Sequence, residues 1–460
     1  MQRLLAIAWL TWKAAFRFRL FLVVSVLLLG SVVALPLLIK DDGTARGFTQ
    51  ILLTYTLSTI AALLGLSTLW LACGTLARDI EECQIQVVAV KPIGRWQIWL
   101  GKWLGLVSLN AALLAISGAS VYFLLQYRAT RLPPEEQQNL RNQVLVARGS
   151  AVEDVATIQK DIETDTDRLF KERLAKNPLE RADLPEVRRQ INEQVKAAYQ
   201  VVGPSYSRVW QVPLPPNYPH DRPLQLRIKF RTPDQSSSGT FGAVWFVGVP
   251  RQTQLWRSEV MSLAPDTFHE FEIPPYADEN GVVTVVFRNP NEMALLFALE
   301  DGLEVLYHEG GFTLNFIRGL GIILCWMALL AALGLAAASF LSFPVAAFLS
   351  LAVLILTLFN SPLVSAVSEG TLGSYNAEKG TASHLAIDPV AIPVLKALLW
   401  TINLAKNFSP IDSLSTGRSI TWLHLAEAAG KIVLALGGAL AAFGIVVLTR
   451  RELATAQGTQ

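Results

Sequence analysis

Residues capable of chemistry gather at two places in this chain. The first is Phe268-His269-Glu270-Phe271-Glu272, where an imidazole stands beside two carboxylates, the raw material of a metal site or an acid–base pair. The surrounding pattern is that of a strand, and alternate side chains of a strand leave opposite faces, so His269 turns away from Glu270 and Glu272. The second is Gly94 with Gly101-Lys102, which has the glycines and the lysine of a phosphate loop. The spacing is wrong, and Trp103 stands where a magnesium-binding Ser or Thr is needed. No HExxH, GxSxG or Cys/His framework lies between residues 128 and 318. The three cysteines, Cys73, Cys83 and Cys325, are scattered and leave that segment without any, so neither redox chemistry nor a disulfide is expected in it. No catalytic, cofactor-binding or metal-ligating residue is therefore assigned, and the chain reads as a non-enzyme.

The elements around these residues are mostly apolar helices. With 52% hydrophobic residues and only 17% charge, the chain has more apolar surface than one soluble core needs, and the excess must face lipid. A helix needs about 20 uncharged residues to cross about 30 Å of hydrocarbon. Residues 20–39, 47–77 and 103–127 meet that test as spans one to three. Residues 319–368 are too long for one crossing, and Ser342-Phe343-Pro344 marks a reversal between spans four and five. Span six follows at 432–449, whereas 385–405, interrupted by Asp388, Pro389, Pro393 and Lys396, reads as interfacial.

Arg3, Lys13, Arg17 and Arg19 precede span one; Arg78, Lys91, Arg95 and Lys102 lie between spans two and three; Arg450 and Arg451 follow span six. Six crossings keep all three groups, and both termini, on the cytoplasmic side. Leu5, Trp9, Trp12 and Phe16 recur at helical spacing opposite Lys13 and Arg17, which describes an amphipathic interfacial helix over residues 1–19, with a plain extension of span one as the alternative. Ionisable residues deep in the spans are absent from this pattern, which disfavours an ion-coupled carrier. The net charge of +2 gives no reason to expect nucleic acid.

The fold class is thus an α-helical polytopic membrane protein with an inserted extracytoplasmic α+β region. The expected divisions are 20–127 for spans one to three, 128–209 for a helical stalk or hairpin, 210–311 for a β-sandwich of jelly-roll type, 312–367 for spans four and five, 368–428 for an outer loop, 429–450 for span six and 451–460 for a cytoplasmic tail. The stalk is charged, with Val155, Ile158, Ile162 and Leu169 at helical spacing and breaks at Gly149-Ser150 and Asn177-Pro178. In the sandwich, alternating runs at 224–230, 242–249, 267–273 and 281–288 are separated by Pro233-Asp234, Pro265-Asp266 and Glu279-Asn280-Gly281. Trp245, Phe246 and Trp256 could offer flat apolar surface to an envelope component or substrate, although aromatics at strand spacing more often form core.

The most informative segment joins spans two and three. It runs from Asp79, Glu81 and Glu82 through apolar residues to Lys91-Pro92, then Arg95 and Gly101-Lys102. Carboxylates open a short helix favourably and Pro92 ends it. This order of acidic, apolar, Lys-Pro and basic residues resembles the permease subunits of ABC-2-type transporters. Residues 338–346, and Gly417-Arg418-Ser419-Ile420-Thr421-Trp422 ahead of a last span ending in Arg450-Arg451, extend the resemblance; Cys83, where many members have Gly, and the large insert depart from it. The resemblance implies a coupling helix at residues 79–95 that docks on a separate ATPase subunit holding ATP and magnesium. It also implies a second permease copy or paralogue in the lipid bilayer, in a bacterial inner membrane. Asp79, Glu81, Glu82, Lys91, Pro92 and Arg95 are then the ATPase-coupling residues. The implied function is export of a substrate, the alternative being an ATPase-driven mechanotransmission or envelope-binding adaptor that moves nothing. Gly101 with Gly105, and Gly437 with Ala441, offer close helix packing, or are ordinary small-residue content.

Overall fold

A computed structural model of the chain describes residues 2–17, 19–38, 44–82, 93–140, 144–176, 184–216, 218–232, 239–248, 254–299, 301–358, 364, 367, 375–376, 381–382, 387–406 and 408–451. The chain divides into two compact units: Met1–Leu145 with Gly311–Gln460, and Val146–Gly310 inserted between them.

The first unit is helical. In chain order it holds α1 (Gln2–Arg17), α2 (Arg19–Leu38), α3 (Ala45–Glu81), α4 (Arg95–Ala129) and the short α5 (Pro134–Asn139). Among the described residues four helices are long and apolar enough to cross a membrane: α3, α4, Phe312–Ala338 and Trp422–Arg450; a fifth is added if Gln2–Arg17 and Phe21–Leu35, which meet at 80°, count as one bent span. The chain is accordingly a membrane protein. Of the expected spans, residues 20–39 meet the test only together with α1, and the fifth is described as a helix over Phe343–Leu358, 16 residues long, beyond which residues 359–363 lie outside the described residues.

α3 is the central helix, buried on most sides. Leu53, Leu57, Ile60 and Leu64 repeat at helical spacing in the core, and Cys73 and Ala77 carry the burial to its far end. Lipid tails are as apolar as leucine, so close contact rather than water exclusion must hold the helices together. Gly334 supplies such contact: a Cβ there would stand 2.6 Å from Cβ of Ala72. Gly118 does the same against Leu320, at 2.5 Å.

The second unit opens with β1 (Val146–Ala151) and a helix pair, α6 (Val155–Lys176) and α7 (Leu184–Gln200), joined by Ile162, Val187, Ile191 and Val195. The break expected at Gly149-Ser150 is instead strand; Gly149 is needed there because a Cβ would meet the Tyr307 ring at 2.2 Å. The other expected break, Asn177-Pro178, lies outside the described residues. Ten strands follow: β2 (Val201–Val202), β3 (Ser207–Pro213), β4 (Leu224–Ile228), β5 (Phe241–Val247), β6 (Trp256–Arg257), β7 (Met261–Leu263), β8 (His269–Ile273), β9 (Val282–Arg288), β10 (Leu295–Leu296) and β11 (Leu303–Gly311). Among the described residues they form sheets of order β1-β11-β4-β8 and β3-β9-β5-β6, with β7 also on β5, and β2 pairs separately with β10. The β3–β9, β9–β5, β4–β8 and β4–β11 pairs are antiparallel. Leu226, Ile228, Ile273 and Val305 from one sheet share a core with Trp245, Val283, Val285 and Phe287 from the other. The turns at Asp266 and Gly281 take φ of 58° and 75°, where an Asp is tolerated and a Gly favoured.

The chain returns to the first unit through α8 (Phe312–Ala338) and α9 (Phe343–Leu358), with the reversal at Ser342-Phe343-Pro344 where the sequence places it. Pro344 suits the first turn of α9, whose N–H groups lack helical partners anyway. A short pair, β12 (Tyr375–Asn376) with β13 (Thr381–Ala382), precedes α10 (Asp388–Lys406) and α11 (Pro410–Ser415). The last helix begins as α12 (Trp422–Ala428), winds wider over Ala429–Gly437 and continues as α13 (Gly438–Arg450).

Candidate functional site where five helix ends are tied

α3 stops at Glu81, whose neighbour Glu82 closes the helix by donating its N–H to the carbonyl of Arg78 (2.8 Å). Residues 83–92, with Cys83, Lys91 and Pro92, lie outside the described residues. The chain resumes at Ile93 and Gly94, and Gly94 donates its N–H to Oε1 of Gln97 at 3.3 Å, starting α4.

The charged residues on either side of this connection are tied down. Lys102, two turns into α4, extends Nζ to Oδ2 of Asp79 (2.6 Å) and to the carbonyl of Thr75 (2.7 Å) on α3. Its side chain is 9% exposed and that of Asp79 34%, so the pair is buried on the lysine side and wet on the aspartate side. Oε1 of Glu81 accepts the N–H of Phe343 (2.9 Å), the first residue of α9, where a carboxylate meets the positive end of the helix. The Phe343 ring is covered by the Arg78 guanidinium at 4.7 Å and met edge-on by Trp70 at 5.1 Å.

Arg95 reaches further. Its Nη1 stands 2.7–2.9 Å from the carbonyls of Leu448, Thr449 and Arg451, at the negative end of α13. Arg451 in turn donates to the carbonyl of Ser339 at the end of α8 (3.2 Å). Beneath them Trp99 is fully buried against Gly444, where a Cβ would stand 2.7 Å from the indole nitrogen. Asp79, Glu81 and Arg95 thus belong to one set of ties joining the ends of α3, α8 and α13 to the starts of α4 and α9. Glu82 is exposed at the edge of the set.

Sequence reasoning did not single out the partners. Lys102 stands out in the sequence by its place after Gly101 and Arg451 by its sign, but nothing in either spacing names Asp79 or Ser339. The small-residue pair performs better: a Cβ on Gly101 would stand 2.7 Å from Ile7, and one on Gly105 would stand 2.7 Å from Thr11, so α1 packs on α4 through both glycines. Trp12 adds a bond from its indole N–H to Ser108 (2.8 Å). Gly437 has no comparable approach, its nearest neighbour being the carbonyl of Ile432 in its own helix. The motif at 417–422 is clamped on α8. Asn315, fully buried, donates to the carbonyl of Arg418 and accepts from the N–H of Ile420, both at 2.7 Å, and Arg318 bonds the Ile420 carbonyl.

The aromatic surface considered in the second unit needs correction. Trp245 is fully buried, with the Phe287 ring 4.8 Å away, because alternation on β5 sends it into the core. Phe246 leaves the other face and is half-buried under Arg257; Trp256 packs partly on the core, so the three do not form one surface. His269 bonds the Ala264 carbonyl (2.8 Å) and Thr267 (2.9 Å), whereas Glu270 meets Arg148 (3.2 Å) and Arg227 (3.6 Å). Among the described residues no three His, Cys, Asp or Glu side chains are grouped to hold a metal.

No protein-family model, no curated protein and no solved structure matches this chain.

Proposed function

We propose that the chain is the membrane-spanning subunit of an ABC-2-type transporter, in which a separate ATPase binds ATP and magnesium and drives export. The observation that carries this reading is the fastening on both sides of residues 83–92. Asp79 and Glu81 before the connection, and Arg95 and Lys102 after it, link four helix ends by charge-assisted bonds. Force applied by a soluble partner to that connection would reach α3, α4, α9 and α13 together, as a coupling element requires. A rigid element with few independent parts transmits displacement rather than absorbing it.

The order of motifs along the chain supports the family. In this reading the six-span topology stands, with α2 and α9 as spans one and five, α1 lying at the interface, both termini cytoplasmic and the two sheets forming an extracytoplasmic jelly-roll sandwich. The working unit is a dimer of permeases in a bacterial inner membrane.

The test is to purify the tagged chain from its native membrane in mild detergent and identify what accompanies it. A stoichiometric ATP-binding-cassette subunit, lost on Glu82→Lys while the chain still inserts, is the expected result. Repeated recovery without such a subunit would sink the transporter reading and leave an envelope-binding adaptor.

A further inference from the structure

The second unit carries an open cleft of about 660 Å³ between its helix pair and one sheet. Ile158 and Asp161 of α6 and Tyr199 of α7 form one wall; Ser207, Arg208 and Val209 of β3 form the other. β3 ends its sheet, with β9 on one side only.

The backbone groups that face the cleft follow from alternation along an antiparallel strand. Tyr206 accepts from the N–H of Asn289 (3.0 Å) and Leu214 donates to the carbonyl of Gly281 (2.9 Å), so the even-numbered residues turn toward β9. The odd-numbered ones turn outward. Gln211 obeys this, its N–H donating to Glu153 at 3.4 Å, and Pro213, which has no N–H, takes the next outward position. Ser207 and Val209 remain. Among the described residues their outward backbone groups have no partner, and they line the cleft.

The side chains add apolar contact and a sign of charge. Val209 is 51% exposed and Tyr206 73%. The one cation in the lining, Arg208, is engaged: it lies over the Trp210 ring at 4.6 Å, donates to the Phe297 carbonyl (3.3 Å) and faces Glu153 at 4.0 Å. With Arg208 and Glu153 facing each other, what the cleft offers an occupant is acidic, from Asp161.

We propose that this cleft takes an extended peptide segment carrying a basic side chain, added as a further strand on the outer edge of β3. A free N–H and C=O at every second residue is the signature of strand addition, in which main-chain bonds supply affinity and flanking side chains supply selectivity. The inference stands on the second unit alone and is independent of the transporter reading.

The experiment uses the full chain in detergent micelles and fluorescence polarisation of a dye-labelled Val-Lys-Val-Lys-Val peptide, capped at both ends. Saturable binding is expected, weakened about tenfold or more when alternate amides of the peptide are N-methylated or when both Lys become Glu. Val209→Pro removes an outward N–H and is expected to weaken binding to a similar degree. Asp161→Lys, an exposed helix position that leaves the strands untouched, is expected to reverse the Lys-over-Glu preference. Equal binding of methylated and unmethylated peptides, no saturable binding of the Lys peptide up to millimolar concentration, or saturable binding of a chitin oligosaccharide in its place would each overturn the proposal.

Discussion

Replacing Asp79 by Ala should destabilise the first unit more than replacing its partner Lys102 by Met. The asymmetry comes from exposure. Lys102 is 9% exposed and holds only Asp79 and the Thr75 carbonyl, so Asp79→Ala leaves an ammonium in the helix packing with one neutral acceptor. Breaking a fully buried pair in this way costs about 3–5 kcal/mol. Asp79 is a third exposed, so water partly replaces it and about 2 kcal/mol is the figure expected here. Lys102→Met removes the buried charge itself and leaves a carboxylate that water can reach, at a cost of about 1 kcal/mol or less. The double variant should resemble Lys102→Met. Thermal unfolding in detergent, followed by tryptophan emission, reads the order: Asp79→Ala lowest by about 4 °C or more, the other two closer to the parent. If Lys102→Met falls as far as Asp79→Ala, or the double variant falls below both, the buried ammonium is not what the pair satisfies.

Two further outcomes follow from the geometry. Gly105→Ala should cost about 1–3 kcal/mol and free α1 for proteolysis, because the new Cβ meets Thr11 at 2.7 Å and the Ala8 carbonyl at 2.9 Å. Gly438→Ala, with nothing within 4 Å, should be neutral or stabilising on the same melting assay. In the second unit, burial pushes the Glu153 carboxyl up from its ordinary value of 4.5, against the opposing pull of the Gln211 N–H and Arg208. The folded state then holds that proton more tightly than the unfolded one, so stability is greatest at the acid side of the window and falls as pH rises from about 4.5 through the folded pKa. Glu153→Gln should flatten that slope above pH 4.5; melting curves with the same pH slope in both proteins would refute it.

Much of the architecture is legible in the chain because it depends on local pattern. Uncharged runs identify α3, α4, α8 and the last helix, and alternation identifies β4, β5, β8 and β9 within a residue or two of their limits. Ser342-Phe343-Pro344 marks the α8–α9 reversal because proline restricts its own backbone and its neighbour's wherever it stands. The strands outside the four alternating runs include two whose pattern is broken. β1 contains Arg148, Gly149 and Ser150, and β11 runs into Tyr307, His308, Glu309 and two glycines. They are strands because the neighbouring strand supplies their hydrogen bonds, and a strand further across the sheet can add an ionic partner, as Glu270 of β8 does for Arg148 of β1.

Charge type and order along the chain are legible in the residues, whereas the place of Asp79 and Glu81 is not: they close α3 instead of opening a short helix. Which charge meets which is not legible either. Arg95 caps a helix more than 350 residues later, Arg451 reaches back to Ser339, and Glu81 receives the N–H of Phe343. Such pairings have no period to read, because two helix ends become neighbours through the packing of all the helices between them. The same holds for β3, which lies outside the four alternating runs: its position at the end of a sheet, with Ser207 and Val209 facing the cleft, exists once β9 has taken its other side.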